Sequence, residues 1–396
     1  MAHALVETLY IALGNSTCNK VPHQGLPVYL TIRYVYMMLK MLKNRIRQSL
    51  LYAQVLAHPL VYHTIGCRYP KHLTLSFEQS INYLSSIHPD KGGTCLRTNS
   101  IQHCYDLHII VPVYNVAPYI EACLKSICEQ ETKYSVLISI VNDGSTDESP
   151  RLIEEFIANC SSHFSNKKIE VTHQSNQGLA AARNLPLASI RGRYLMFVDS
   201  DDMLLPDAIE SLMEKAYATG ADIVEGNFNV GSTFGFVCGK VIRAELFSHL
   251  CFPSGYWFED TIVAFFLYPL CQGIEYCDGV HYYYRHNSNS IMHSYAGRSK
   301  ALDSLWVSKR VLSDYFSLGN KATISLYQMF LQDALSTKKH LLTLNDKLVM
   351  QSLFVIQCNI AQTYFSDLLL TEIPSPQLKY IHQSFQTSNF RHWMCL

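Results

Sequence analysis

From residue 106 onward, apolar and polar positions alternate in blocks of strand and helix length. LHIIVPVY (107–114) is a continuous apolar run, as in a strand buried on both faces. A helix follows over 117–130, then a second strand, SVLISIV (135–141). Ser145-Thr146-Asp147-Glu148 has the form of a capping box opening the helix RLIEEFIANC. KIEVTH (168–173) predicts a third strand, and GLAAARNLPLAS (178–189) a small-residue helix in which Pro186 marks an early end. RYLMFV (193–198) predicts a fourth strand, with Pro206 in the first turn of the next helix. ADIVEGNF (221–228) is a fifth, and VHYYYRH (280–286) a short aromatic strand. Such alternation specifies α/β architecture: a mainly parallel sheet covered by helices on both faces.

The flanks differ. Residues 1–104 read as a helical, irregular, basic extension, with a long aromatic and Met-rich helix from Val28 to Leu56. HPDKGGTCLRTNS (88–100) has the composition of a linker. The alternating part, 105–295, is the expected catalytic domain, and 296–396 returns to amphipathic helix.

Composition narrows the picture. Apolar residues make up 48% of the chain and charged residues 16%, which marks a globular protein with a sizeable core. Net charge is zero, against a general nucleic-acid binder, and no nucleic-acid partner is expected. The balance is uneven. No acid stands between Glu7 and Glu78, while that span carries Lys20, Arg33, Lys40, Lys43, Arg45, Arg47, Arg68 and Lys71. The helix at 28–56 therefore suits either an anionic membrane surface or packing on the acidic remainder. The 13 cysteines show no Cys-x-x-Cys, so they read as reduced, buried small hydrophobes. The N-terminus lacks a basic signal-peptide region, and no apolar run is long enough to span a bilayer. The expected location is cytoplasmic, with peripheral contact at the inner face of the cell membrane if the 28–56 helix takes the first of those two roles.

Candidate chemistry lies where strands end, because ligands of open α/β sheets bind beyond the carboxyl ends. The first strand ends in Pro112-Val113-Tyr114-Asn115, the second in Asn142-Asp143-Gly144-Ser145, the fourth in Asp199-Ser200-Asp201-Asp202. Neither a dinucleotide fingerprint nor a phosphate-loop lysine follows the first strand. Acids at such tips suit two tasks: accepting hydrogen bonds from a base or ribose, and holding a hard divalent cation whose shell substrate phosphates complete. That second task would relieve the repulsion among Asp199, Asp201 and Asp202. By itself the triplet also fits a solvated turn.

Taken together, IIVPVYNVAPYIEACLKSI, IVNDGSTDES, NQGLAAARN, GRYLMFVDSDDMLLPDAI, CGKVIRAELF, FEDT and YYYRHNSNSI resemble, in order and spacing, the family 2 glycosyltransferases of the glycosyltransferase-A fold, over roughly 106–292. The style of the match is that of bacterial surface-polysaccharide enzymes. The resemblance implies a Rossmann-like nucleotide-sugar fold and a set of roles. Pro112, Tyr114 and Asn115 would frame the nucleotide pocket. Asp143 would contact the uracil, Arg183 support the nucleotide side, and Asp199 lie near the ribose. Asp201 would bind Mn2+ or Mg2+ on the diphosphate. Asp260 would be the catalytic base, with Glu259 and Lys240 in the substrate set.

One acid that deprotonates the acceptor, plus one that holds a metal on the leaving diphosphate, suffices for inverting transfer. The Gln-x-x-Arg-Trp motif of processive synthases is absent, which points to single additions. The expectation is a metal-dependent transfer of a hexose from a UDP-sugar to a glycan or lipid-linked oligosaccharide acceptor. A retaining transferase on the same fold and a catalytically silent nucleotide-sugar binder remain open at this point. Taken singly, Glu259 and Asp260 could be first-turn helix acids, Lys240 a surface lysine, and Arg285 part of an ordinary edge strand.

Overall fold

Seven consecutive buried residues, Leu107 to Val113, form the end of β1 (Ser100–Val113), which starts before the apolar run that announced it. In a computed structural model of the chain, residues 69–160, 166–287, 290, 294–368 and 375–396 are described. The helix expected at 28–56 lies outside them. Residues 75–371 make one unit; 1–74 and 372–396 make another.

The first unit holds a nine-stranded sheet in the order β3-β2-β1-β4-β8-β6-β9-β5, with β7 paired to β6. β2 (Val136–Asp143) and β3 (Lys167–Gln174) extend from one side of β1, all parallel. The chain then crosses back to lay β4 (Ser189–Phe197) parallel on the other side. β1 and β4 thus flank a topological switch point, whose crevice opens beyond their carboxyl ends. Past β4 the sheet turns mixed. β8 (Lys240–Arg243) is antiparallel to β4 and to β6 (Ile223–Phe228), while β9 (Ile274–Tyr283) runs parallel to β6. β5 (Met203–Leu204) pairs with β9, and β7 is Gly231–Ser232. This α/β sheet, parallel in one half and mixed in the other, is the one expected of the glycosyltransferase-A fold.

The helices follow the expected order. They are α1 (Phe77–Ile87), α2 (Ile120–Cys128), α3 (Ser149–Cys160), α4 (Leu179–Leu187) and α5 (Ala208–Thr219). A π-helical turn, Val263–Leu267, runs into α6 (Tyr268–Leu270), and α7 (Asp303–Ser317), α8 (Ile324–Leu342) and α9 (Lys347–Phe365) follow. α4 carries Pro186 in its last turn and ends one residue later, at Leu187. In the second unit, α10 (Pro376–Gln386) and α11 (Phe390–Met394) pack with Tyr69, whose ring meets Phe390 edge-on.

Four local expectations change. The boundary set at residue 104 falls inside β1. The stretch 88–100 is no free linker: Asp314 of α7 accepts from Thr94 Oγ1 and Cys95 N, and Cys95 and Asn99 are buried. Ser145 and Glu148 form no capping box. Ser145 Oγ accepts from the Asn115 backbone, Glu148 pairs with Arg151, and Asp147 caps instead through the Ser149 N–H. Pro206 precedes α5, because Asp207 takes a left-handed φ of 62° at the N-cap. No disulfide forms among the described cysteines: seven are buried, Cys271 and Cys277 are half-buried, and Cys104 is exposed.

Gly192 of β4 lets β1 bulge between Ile101 and Tyr105. A Cβ there would lie 2.5 Å from His108 N and 2.7 Å from Tyr194 O, both backbone atoms that cannot step aside. Gly192→Ala is expected to cost about 1–3 kcal/mol as overpacking. Urea titration would read this as a lower midpoint at unchanged slope; an unshifted midpoint would refute it.

Candidate active site

The switch point gathers acids around one arginine. Arg183, on α4, is 1% exposed. Its Nη2 donates to Asp199 Oδ1 at 2.6 Å, and its Nη1 to Glu259 Oε1 at 2.6 Å and Asp260 Oδ1 at 2.8 Å. α4 brings the cation, the tip of β4 brings Asp199, and the turn before Val263 brings Glu259 and Asp260. Expected on the nucleotide side alone, Arg183 instead spans from the β4 tip to the candidate base. The guanidinium also lies 5.4 Å from the Phe252 ring centroid. Burial pushes the Glu259 and Asp260 carboxyls up, and Arg183 opposes that rise in both. Glu259 is enclosed at 4% side-chain exposure, whereas Asp260 is 24% exposed, and its Oδ2 accepts the Val237 N–H at 3.2 Å.

The three acids at the β4 tip have separate partners. Asp199 is braced by Arg183. Asp201 Oδ2 accepts from Asn287 Nδ2 at 2.8 Å. Asp202 is 2% exposed and spent: Tyr282 OH donates to Oδ2 at 2.8 Å, and the Arg285 N–H to Oδ1 at 2.8 Å. Tyr282 OH also accepts the Asp199 N–H at 3.0 Å, so one phenol stitches the tip to β9. Burial and then Asp199 raise the Asp201 and Asp202 carboxyls, Asp202 to about 8. Asp201 keeps one oxygen without a hydrogen-bond partner among the described residues, and so does Asp199. Those open oxygens fit a hard cation, and no three His, Cys, Asp or Glu side chains among the described residues form a closed metal cage. An ion held there would need substrate oxygens.

Arg285 lies next to this cluster. Its Nε and Nη2 are buried without a hydrogen-bond partner, and its guanidinium sits 5.2 Å from the Tyr119 ring centroid. Enclosed guanidinium nitrogens with unmet donors are a costly arrangement unless an acceptor completes them.

At the nucleotide side, Asp143 is 2% exposed and clamps the loop before α4. It accepts from Gln174 Nε2 at 2.7 Å and from the N–H groups of Gln177 and Gly178 at 2.8 Å. Asn115, at a left-handed φ of 51°, accepts the Thr146 N–H at 2.8 Å, tying the β1 and β2 tips. Tyr114 stands half exposed beside it, and Pro112 lies past the last β1–β4 rung, where no donor is needed. The structure does not bring Lys240 to this face. Fully buried, it donates to Glu225, to Thr233 O at 3.1 Å and to Tyr268 OH at 2.8 Å.

Sequence reading missed Tyr282 and the surroundings of Phe258. A tyrosine in a Tyr-rich strand gave no sign of which hydroxyl turns inward. Phe258 adopts φ 63°, a region that a phenylalanine does not advertise.

The sequence model described as "Glycosyl transferase family 2" matches residues 108–277. Every acid of the cluster lies inside that span; Arg285 lies beyond it. The glycosyltransferase GlyG of Streptococcus pneumoniae is 28% identical over 247 residues, 52% of this chain and 80% of GlyG. GlyA of the same organism is 33% identical over 239 residues, 51% of this chain but only 32% of its own length. The chondroitin synthase of Escherichia coli is 35% identical over 107 residues, 27% of this chain and 15% of that enzyme. The matched motifs meet at the switch point, and over residues 108–277 this chain is similar to the family 2 glycosyltransferases.

Proposed function

We propose that this enzyme is an inverting, metal-dependent, non-processive transferase. It moves a hexose from a UDP-sugar to a hydroxyl of a lipid-linked glycan in the assembly of a surface polysaccharide. The Arg183 fork is the observation that carries the reading. One buried guanidinium fixes Asp199, at the donor-side strand tip, and Asp260, the partly exposed acid, in a single frame. An acid on each side of the reacting carbon is what displacement from the opposite face needs.

Asp260 takes the acceptor proton as that hydroxyl attacks the anomeric carbon. Arg183 and the Val237 N–H hold its carboxylate in place. Glu259, closed off from solvent, balances the arginine. Tyr114 offers its half-exposed ring to the base, and Asp143 holds the loop that closes the uracil pocket. Asp201, with the open oxygen of Asp199, would hold Mn2+ or Mg2+. A divalent ion supplies charge neutralisation of the departing diphosphate. Arg285, with two donors unmet, would bind a diphosphate oxygen. A chondroitin synthase among the relatives supports a glycan acceptor. Contact with the membrane through 28–56 belongs to the same proposal.

A panel of UDP-sugars with Mn2+, Mg2+ or EDTA tests this. One donor is expected to release UDP only with metal, and Asp201→Asn to lower that release by at least about a hundredfold. No UDP release or binding by the folded chain would leave a silent binder of another ligand. Asp260→Asn is expected to keep UDP affinity and lose transfer by roughly 10²–10⁴-fold; wild-type transfer by it would remove Asp260 as base. Since burial raises the Asp260 carboxyl, transfer should fall with acidification at a pH above the ordinary carboxylate range. A pH profile flat down to that range would contradict the assignment. Arg285→Ala should weaken UDP binding about ten- to hundredfold, as loss of a charged hydrogen bond does. Unchanged binding by calorimetry would exclude that contact.

A further inference from the structure

The acid pair is set by a residue in a conformation it would not choose. Phe258, directly before Glu259, holds φ 63°, a left-handed value disfavoured for a bulky side chain. Its carbonyl accepts from Thr261 N at 3.1 Å and Thr261 Oγ1 at 2.8 Å. Ile262 N and Val263 N then bond Glu259 O and Asp260 O at 3.3 and 2.8 Å. This turn opens the π-helical segment and aims both carboxylates at Arg183.

Something must hold Phe258 there, and the C-terminal helices supply it. The His340 imidazole, on α8, stacks on the Phe258 ring at 4.7 Å and 14°. Tyr295 closes the pocket, 4.6 Å from His340 and 6.2 Å from Phe258. His340 is 8% exposed, and its Nδ1 makes no hydrogen bond, so this ring is used for its face. One residue earlier, the Trp257 N–H is held by Asp303 Oδ2 of α7 at 2.9 Å. Asp303 Oδ1 pairs with His88 Nε2 at 2.8 Å, and Trp306 Nε1 donates to His88 O at 2.9 Å. Backbone and side chain of 257–258 are thus gripped from two helices.

We propose that His340, with Tyr295 and Asp303, is a positioning residue for the Glu259–Asp260 turn, so that α7 and α8 belong to the catalytic frame. The proposal rests on Asp260 being the base, and its structural half stands apart from that reading. Without the ring pocket, Phe258 relaxes toward an ordinary φ and swings the following carboxylates off Arg183.

The test uses the full chain with His340→Ala and His340→Phe, the second keeping a flat ring. Amide exchange at 257–263 should quicken about tenfold in His340→Ala, with β1 to β4 unchanged, and return in His340→Phe. Turnover should fall roughly ten- to hundredfold in His340→Ala while UDP affinity holds, and recover in His340→Phe. Unchanged exchange at 257–263, or failure of the phenylalanine to restore it, overturns the proposal. Should β1 to β4 also loosen in His340→Ala, Tyr295→Leu replaces it, with the same local quickening expected and its absence decisive. No transfer by the wild type with any donor would defeat the Asp260 reading, while exchange would still decide the clamp.

Discussion

Arg183 brings one positive charge into a pocket with three carboxylates, and it has 1% of its surface exposed. Neither charge sign could be there alone. A buried guanidinium needs anions, and Asp199, Glu259 and Asp260 would repel one another without it. Taking one partner from such a buried set costs about 3–5 kcal/mol, so the fork is a point on which fold and chemistry depend together. It also joins the two halves of the sheet. Asp199 follows the last strand of the parallel half, and the Glu259–Asp260 turn lies between β8 and β9 of the mixed half.

The acids that remain are handled one by one. Asp202 is bound up by Tyr282 and the Arg285 backbone, and serves to attach β9 to the β4 tip. Among the described residues, Asp201 and Asp199 keep open oxygens and Arg285 keeps open donors. Under the proposed function, those acceptors and donors would serve a cation and the diphosphate it neutralises. The protein therefore stores its electrostatic imbalance where ligand would correct it.

Much of this was legible in the chain because it is local. Continuous apolar runs gave β1, β2 and β4, and the polar clusters after them gave the crevice. Those clusters carry chemistry because parallel strands all end on one edge. What escaped depends on distant residues. Nothing near Ser145 shows that its hydroxyl is taken by the Asn115 backbone, so a capping box seemed to open α3. Glycines and threonine made 88–100 look like a linker, while Asp314 of α7, far along the chain, pins it. Lys240 sits in a strand whose inward side is revealed only by Glu225 and Tyr268 closing over it. Phe258 reads as an ordinary aromatic until His340 is seen against it. Arg183 was placed on the nucleotide side from the family motif, and its reach to Asp260 required the packed structure.

The proposed role of Asp260, as base in a single displacement, fixes the configuration of the product. The most direct measurement is the anomeric configuration of the product first formed from the active UDP-sugar, followed by proton NMR before mutarotation. An α-linked donor should give a β-configured product. Retention of the α configuration would rule out a single displacement and require a different role for Asp260.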